Sequence, residues 1–212
     1  MDKKGEIDAL TKIIKPEVGV ITNISYAHAK NFKNLKQIAL AKSEIMNNIV
    51  SGGSIVLNAD DIFYKFHRKM ALKKKLKVYS FSINKKNATV SLISIKKEKS
   101  KFKVIINIDN QKKYFFISSN FENNLKNLLA AITVISIFKD IKTINKNIFY
   151  NYQIPYGRGD FSKIKINRKN ILLIDESYNS NPLSLKSSIN NFDLIDSKHN
   201  KKHLILGDML EL

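Results

Sequence analysis

The first 82 residues alternate between apolar segments of strand length and segments with helical periodicity. Strand patterns occupy VGVITNI (18–24), SIVLNA (54–59) and LKVYSFS (76–82), and helix patterns occupy GEIDALTKII (5–14), LKQIALAKSEIMNNI (35–49) and DDIFYKFHRKMALKK (60–74). The first helix should end before Pro16, because the residue preceding a proline is disfavoured in the helical region. The apolar run 18–24 predicts a strand buried on both faces. This alternation is typical of an α/β fold with a parallel, doubly wound sheet.

The pattern changes after residue 86. Residues 87–118 alternate in polarity with period two across two turn-like breaks, which predicts a small antiparallel β-meander. Two helical segments are predicted next, at 123–139 and 143–152. The first part of the chain therefore combines a parallel sheet with a meander.

Pro155, Gly157 and Gly159 lie within five positions and mark a domain boundary. We therefore predict one domain at 1–154 and a second at 155–212. The second domain is predicted to begin with a strand, a helix and another strand, at 162–175, 182–195 and 202–208.

The composition bears on partners and compartment. The chain has 212 residues, a formal charge of +19 and no cysteine. Its lysines are scattered among abundant Asn and Ile, which favours a general compositional drift over a nucleic-acid interface, although a basic nucleic-acid-binding protein stays an alternative. The sequence contains no membrane-length apolar segment and no N-terminal targeting pattern, so we expect a cytoplasmic protein.

Lys42 and His28 are candidate functional residues. Four apolar residues form one stripe on the predicted helix 35–49, namely Leu35, Ile38, Ile45 and Ile49. Lys42 fills the gap in this stripe and should point inward, where its stem either reaches water or brings the amine into a polar cleft. His28 lies just beyond the carboxyl end of a predicted strand, where open α/β sheets bind ligands. It is either an ordinary surface histidine or, with Lys42, a metal or phosphate ligand.

Seven segments together resemble the Mur ligases in order and approximate spacing. They are GEIDALTKIIKPEVGVITNISYAH, IALAKSEI, VLNADD, NNLKNLLAA, YGRGDF, LIDESYNSNP and ILGDMLEL. The forms DESYNSNP and GDMLEL resemble the branch that adds D-alanyl-D-alanine to a UDP-N-acetylmuramoyl-tripeptide. The resemblance implies part of a central ATP-binding domain at 1–154 and the start of a Rossmann-like C-terminal domain at 155–212.

The resemblance also implies a chemistry and residue roles. Mur ligases use ATP to phosphorylate a peptide carboxylate, and an amine then displaces phosphate from the acyl phosphate. Lys42 matches a lysine carbamylated by carbon dioxide, and His28 matches a Mg²⁺-binding histidine. Asn127 matches an asparagine near the adenine, and Arg158 matches an arginine that reaches the nucleotide phosphates. Without the resemblance, the local pattern favours a solvent-facing helix residue at Asn127 and a surface turn at Arg158. The implied substrates are UDP-N-acetylmuramoyl-peptide and D-alanyl-D-alanine, and we expect a monomer.

The segment LIDESYNSNP combines a strand end with a helix start. Asn181 before Pro182 fits a helix N-cap followed by proline at the first helical position. Asp175, Tyr178, Asn179 and Asn181 are therefore predicted to present polar groups toward nucleotide and substrate between the two domains. The alternative is an ordinary capped turn.

The sequence also departs from the family pattern. No G-x-x-G-K-[ST] phosphate loop occurs in the 212 residues, and Glu176 replaces the usual second aspartate of the DDSYN motif. We therefore expect an internal piece of a ligase that is inactive alone. The alternatives are a non-catalytic binding module derived from such a ligase and another Mur-type ligase, such as a folylpolyglutamate synthetase relative.

Overall fold

The structure is a computed structural model that describes residues 1, 3–26, 31–99, 101–118, 122–152, 155–178, 180, 182–195 and 201–209. The chain divides into two compact units, Met1–Tyr152 and Gln153–Leu212. None of the described helices is both long and apolar enough to cross a membrane.

A six-stranded sheet forms the centre of the first unit, with strand order β1-β2-β3-β4-β5-β6. The strands are β1 (Val18–Ile21), β2 (Ser54–Asn58), β3 (Lys77–Ser82), β4 (Val90–Glu98), β5 (Lys101–Ile108) and β6 (Gln111–Ile117). Strands β1 to β4 pair in parallel, and β4 to β6 pair antiparallel. The predicted α/β fold, with a parallel sheet and a β-meander, is therefore confirmed.

The helices of the first unit are α1 (Glu6–Ile14), α2 (Leu35–Ser43), α3 (Tyr64–Lys73) and α4 (Glu122–Phe138). Helix α1 ends before Pro16, as predicted, with Lys15 in the left-handed conformation at its C-cap. Helix α2 is shorter than predicted, because the chain tightens into a 3-10 helix over Glu44–Asn47. The predicted helix at 143–152 is wrong. A single 3-10 turn, Ile141–Thr143, is followed by turns, because this Asn-rich segment has no continuous apolar face to bury.

The meander continues the parallel sheet. Strand β4 joins β3 through the pairs Phe81↔Val90 and Ser82↔Ser91. The loop between β5 and β6 consists of Asp109 and Asn110, both with positive φ, as two-residue hairpin turns require.

Two apolar clusters lie on opposite faces of this sheet. Because side chains alternate along a strand, Val56 belongs to one cluster while Ile55 and Leu57 belong to the other. Helix α4 covers the first cluster with Leu129 and Ile132, and α2 and α3 contribute to the second. Strand β2 is buried along its whole length. The prediction that the strand at 18–24 is buried on both faces is wrong, since β1 spans only four residues, lies at one end of the described sheet and alternates in burial.

The second unit contains a hairpin of β7 (Asp160–Ile166) and β8 (Lys169–Asp175), followed by α5 (Pro182–Asp193). The single strand predicted at 162–175 is thus two strands, joined by Asn167 and Arg168 with positive φ. Residues 201–209 contain no strand, so the strand predicted at 202–208 is wrong in the described structure. Ile205 is 95% exposed, and no described strand pairs with this segment. An apolar sequence favours a strand but does not form one without a neighbouring strand to pair with.

Polar side chains tie α1 to the 3-10 helix that follows α2. The Asp8 carboxylate accepts hydrogen bonds from the side-chain amides of Asn47 (2.8 Å) and Asn48 (3.1 Å) and pairs with Lys12 at 2.8 Å. The hydrogen bond from Lys12, followed by that from Asn47, lowers the pKa of Asp8 from its usual 3.8 to about 2.

This pKa shift predicts an acid-sensitive contribution to stability. Because the folded-state pKa lies below the unfolded value, the stabilisation is present above the usual value of 3.8 and is lost as the pH falls toward about 2. The melting temperature of the unmodified chain should therefore fall more steeply across this window than that of Asp8→Asn. Parallel melting curves of the two proteins would contradict the assignment.

Candidate functional site

Lys42 lies in the last turn of α2 and is half-buried. Its Nζ donates a hydrogen bond to the backbone oxygen of Asn23 at 2.9 Å. Because β1 ends at Ile21, this oxygen belongs to the loop at the carboxyl end of the strand, the edge where open α/β sheets place ligand sites. The amine therefore sits against a polar backbone group at this sheet edge.

The surroundings of Lys42 make its amine easier to deprotonate than that of an exposed lysine. Burial lowers the pKa of the amine, and the negative charge of Asp61 opposes this effect to a smaller extent. A neutral amine has a free electron pair and can act as a nucleophile, whereas an ammonium ion cannot.

Three consecutive residues of the loop after β1 are held by side chains from elsewhere in the first unit. The backbone oxygen of Thr22 accepts from the Asn58 amide at 2.9 Å, and that of Asn23 accepts from Lys42. The backbone N–H of Ile24 donates to Asp61 Oδ2 at 2.8 Å. The NADD segment (58–61) at the end of β2 thus holds the loop after β1, a role that the sequence analysis did not predict. The polar residues directly after a buried strand were the feature that could have indicated it.

Glu44 is a second residue that sequence reasoning missed. Its buried carboxylate accepts hydrogen bonds from the backbone N–H of Gly5, at 2.8 and 2.9 Å, and of Asp8, at 3.3 Å. It therefore caps the free backbone N–H groups at the start of α1, because the N-cap residue Gly5 has no side chain that could do so. Since Glu44 follows Lys42 by two residues, the same segment carries the lysine and anchors α1.

Replacing Glu44 by glutamine should lower the free energy of unfolding by about 1–2 kcal/mol, because the amide keeps one acceptor and turns a donor toward backbone donors. The matched control is Glu98→Gln, since Glu98 makes only a loose pair with Lys103 at 3.9 Å. Urea denaturation of both variants measures the difference. Equal stabilities would contradict the capping role of Glu44.

Three predicted site residues, His28, Asn179 and Asn181, lie outside the described residues. Asn127 is exposed on α4. Among the residues that the structure describes, no group of three or more His, Cys, Asp or Glu side chains could hold a metal ion. The described side chains therefore do not by themselves form the predicted Mg²⁺ site.

The second unit brings the YGRGDF and DESYN segments together. The Arg158 guanidinium lies over the Tyr178 ring, 4.2 Å from its centre. The backbone N–H of Tyr178 donates to the Gly157 oxygen at 3.0 Å, and that of Gly159 donates to the Asp175 oxygen at 2.7 Å. Three of the predicted residues, Arg158, Asp175 and Tyr178, thus belong to one group, and the cationic side chain is stacked on an aromatic face.

The two acids of the DESYN segment, Asp175 and Glu176, differ in their environments. Asp175 Oδ1 accepts from the Ser177 N–H at 2.9 Å, and hydrogen bonds from Ser177 lower the pKa of this carboxyl. Partial desolvation of its carboxyl raises the pKa of Glu176. The Glu176 carboxylate faces Gly159 so closely that a Cβ there would come within 3.0 Å of Oε1. The residue that departs from the family pattern is therefore packed against the other segment of the group.

Comparison with known proteins identifies the family. The Mur ligase middle domain matches residues 1–135. The chain belongs to the Mur ligase family. It is 31% identical to the UDP-N-acetylmuramoyl-tripeptide--D-alanyl-D-alanine ligase of Rickettsia prowazekii over 220 aligned positions, which cover all of this chain and 46% of that protein.

Solved structures extend the comparison to the fold of this Mur ligase chain. A crystal structure of MurF from Acinetobacter baumannii matches with a TM-score of 0.79 and 26% identity, covering 92% of this chain and 41% of that one. A variant of L. casei FPGS matches with a TM-score of 0.66 over 88% of this chain and 44% of that one, and its 15% identity shows the fold alone. The chain thus spans less than half the length of these relatives.

Proposed function

We propose that this Mur ligase chain supplies part of an ATP-dependent ligase of peptidoglycan precursor synthesis in the cytoplasm. The reaction joins D-alanyl-D-alanine to UDP-N-acetylmuramoyl-tripeptide through an acyl phosphate. The observation that carries the proposal is the half-buried Lys42 amine, bound to the loop after β1 in a chain of this family. The names of its relatives support the choice of substrates.

In this proposal Lys42 is carbamylated. Its neutral amine attacks carbon dioxide, the nitrogen–carbon bond forms, and one proton leaves to solvent. The product is an anionic, carboxylate-like group in place of a cation, and oxygen donors of this kind suit Mg²⁺. When bound, ATP and Mg²⁺ supply the phosphoryl group and the neutralisation of its charge.

The Arg158 group has a separate role in the proposal. Arg158 carries a fixed positive charge, and Tyr178 limits the directions that its side chain can take. This guanidinium would neutralise the charge of a bound phosphate oxygen, and little side-chain ordering would be needed because the Tyr178 ring already limits its positions. Asp175, Asn179 and Asn181 would bind polar groups of nucleotide or substrate, and Asn127 would lie near the adenine.

The decisive experiment is a ligation assay on a chimaera, in which this chain replaces the matching part of a D-alanyl-D-alanine-adding relative. We expect ATP-dependent joining of D-alanyl-D-alanine to the UDP-linked tripeptide. Glutamate transfer to a folate acceptor would instead favour the folylpolyglutamate alternative. Loss of all turnover in a folded chimaera that still binds nucleotide would favour the non-catalytic module.

The 212-residue chain alone is expected to show no ATP turnover. It lacks the glycine-rich loop whose backbone N–H groups and lysine position the β- and γ-phosphates. Phosphate release by the purified chain measures this directly. Robust turnover that is abolished by His28→Ala would contradict the expectation.

A further inference from the structure

The peptide unit between Asn23 and Ile24 is bound at both of its polar ends. Its oxygen accepts from Lys42 Nζ at 2.9 Å, and its N–H donates to Asp61 Oδ2 at 2.8 Å. The described backbone contains no cis peptide bond, and in a trans peptide the C=O and N–H point in opposite directions. The Asp61 carboxylate, by holding the N–H, therefore sets the direction of the carbonyl that receives Lys42.

Asp61 and Asn58 have little freedom to release this loop. Asp61 Oδ1 also accepts from the Phe63 N–H at 2.8 Å, so both of its oxygens are engaged. Asn58 is buried, donates from its amide to the Thr22 oxygen and accepts from the Asp60 N–H at 2.9 Å. The loop is therefore held by two side chains that are themselves fixed.

The neighbouring Asp60 makes a parallel set of contacts on the other side of β2. Its carboxylate accepts from Ser82 Oγ at 2.6 Å and from the Ile83 N–H at 2.7 Å, at the end of β3. Because β2 lies between β1 and β3, the two consecutive acids hold the loops that follow its two neighbours. Of these two acids, Asp61 alone binds the Asn23–Ile24 peptide, so Asp60 is a matched internal control.

We infer that Asp61 is a positioning residue for Lys42, acting through the Asn23–Ile24 peptide plane. The inference rests on the proposed carbamylation of Lys42. The neutral amine has two N–H groups and the carbamate nitrogen keeps one, so the bond to the Asn23 oxygen can persist after the reaction. That single remaining bond then fixes the side of the nitrogen on which the new carboxylate group lies.

The test compares Asp61→Glu with Asp60→Glu in the 212-residue chain. Both changes keep the negative charge and add one methylene. An effect of either variant therefore reports the displaced position of the carboxylate and not the loss of its charge. Hydrogen exchange should show lost protection of the Ile24 amide in the first variant and of the Ile83 amide in the second. If the Ile24 amide of Asp61→Glu is still protected from exchange, the same comparison is made with Asp61→Ala and Asp60→Ala.

The first readout is Lys42 carbamate, measured by NMR in isotope-labelled bicarbonate. The amine can turn its second N–H to another acceptor, whereas the carbamate has a single N–H, so loss of the Asn23 acceptor should cost the carbamate more and lower its occupancy about 2–10-fold in the Asp61 variant. The Asp60 variant should stay within about twofold of the unmodified chain. Unchanged carbamate in an Asp61 variant whose Ile24 amide has lost protection would overturn the inference.

The second readout does not depend on carbamate. Mass spectrometry follows acetylation of Lys42 by acetic anhydride relative to exposed lysines. At a pH high enough to deprotonate the exposed lysines, release from the Asn23 oxygen should let the amine reach solvent and raise its acetylation about 2–10-fold in the Asp61 variant only. If the unmodified chain forms no carbamate but this increase appears, the positioning role stands and the proposed carbamate fails. If carbamate forms normally and neither readout responds to Asp61, the positioning role fails alone.

Discussion

Replacing Lys42 by alanine in the chimaeric ligase is expected to lower ligation by at least about 10–100-fold, the usual cost of losing a group that supports a metal site. The alanine removes the hydrogen bond to the Asn23 backbone oxygen and, with it, the amine that carries the proposed carbamate, and it leaves a small cavity at the sheet edge. Lys42→Arg should be no more active, because a guanidinium keeps a positive charge and does not form a carbamate. Initial rates per folded molecule measure the effect.

Chemical rescue distinguishes this role from a structural one. Formate or acetate should enter the cavity and restore part of the activity of Lys42→Ala, and it should restore none to Lys42→Arg. Lys36→Ala is the matched control, since Lys36 is an exposed lysine of the same helix. An alanine variant that loses stability but keeps the full rate per folded molecule would end the carbamate hypothesis.

Replacing Gly157 by alanine is expected to lower the free energy of unfolding of the second unit by about 2–5 kcal/mol. Gly157 has a φ of 71°, which costs an L-residue about 1–2 kcal/mol. A Cβ there would also lie 2.9 Å from the Tyr178 backbone nitrogen, and overpacking of this kind costs about 1–3 kcal/mol. The added carbon should push Tyr178 away from Arg158.

Gly52→Ala is the control for backbone strain. Gly52 has a φ of 76°, but no atom of the described residues lies within 4 Å of the position that its Cβ would take, so this variant should show only the left-handed penalty in the first unit. Denaturation, followed through ring-shifted Arg158 resonances for the second unit, measures the Gly157 variant. If Gly157→Ala costs no more than Gly52→Ala, the close packing of the two segments does not stabilise the unit.

Most structural features that depend on neighbouring residues in sequence were predicted correctly, and features that depend on pairing with a distant segment were predicted less well. The end of α1 before Pro16 and the alternation of the meander follow from steric restriction and side-chain period, and both are confirmed. The hairpin at 162–175 was missed because its turn uses Asn167 and Arg168 and contains no glycine. Residues 202–208 have a strand-like composition, but a strand exists only where a neighbour offers backbone partners.

The candidate site shows the same division. The apolar stripe at 35–49 predicted that Lys42 points inward, and the structure places it half-buried. Its acceptor, the Asn23 oxygen, lies 19 residues away in sequence, and no periodicity connects the two. The roles of Asp61 and Glu44 were likewise invisible, because each carboxylate binds a backbone N–H at least 36 residues distant.

The sequence by itself determined the α/β class, the meander, the Mur ligase resemblance and the candidate residue types, because these depend on local periodicity and on motif order. Only the tertiary structure decided which side chains meet. Parallel strand pairing brings the ends of β1 and β2 to one sheet edge, where Asp61 and Lys42 bind the same peptide. Hairpin pairing of β7 with β8 likewise brings Arg158 to Tyr178. Backbone hydrogen bonds between distant segments create these contacts. The contacts depend on the register of strand pairing, which cannot be read from either segment alone.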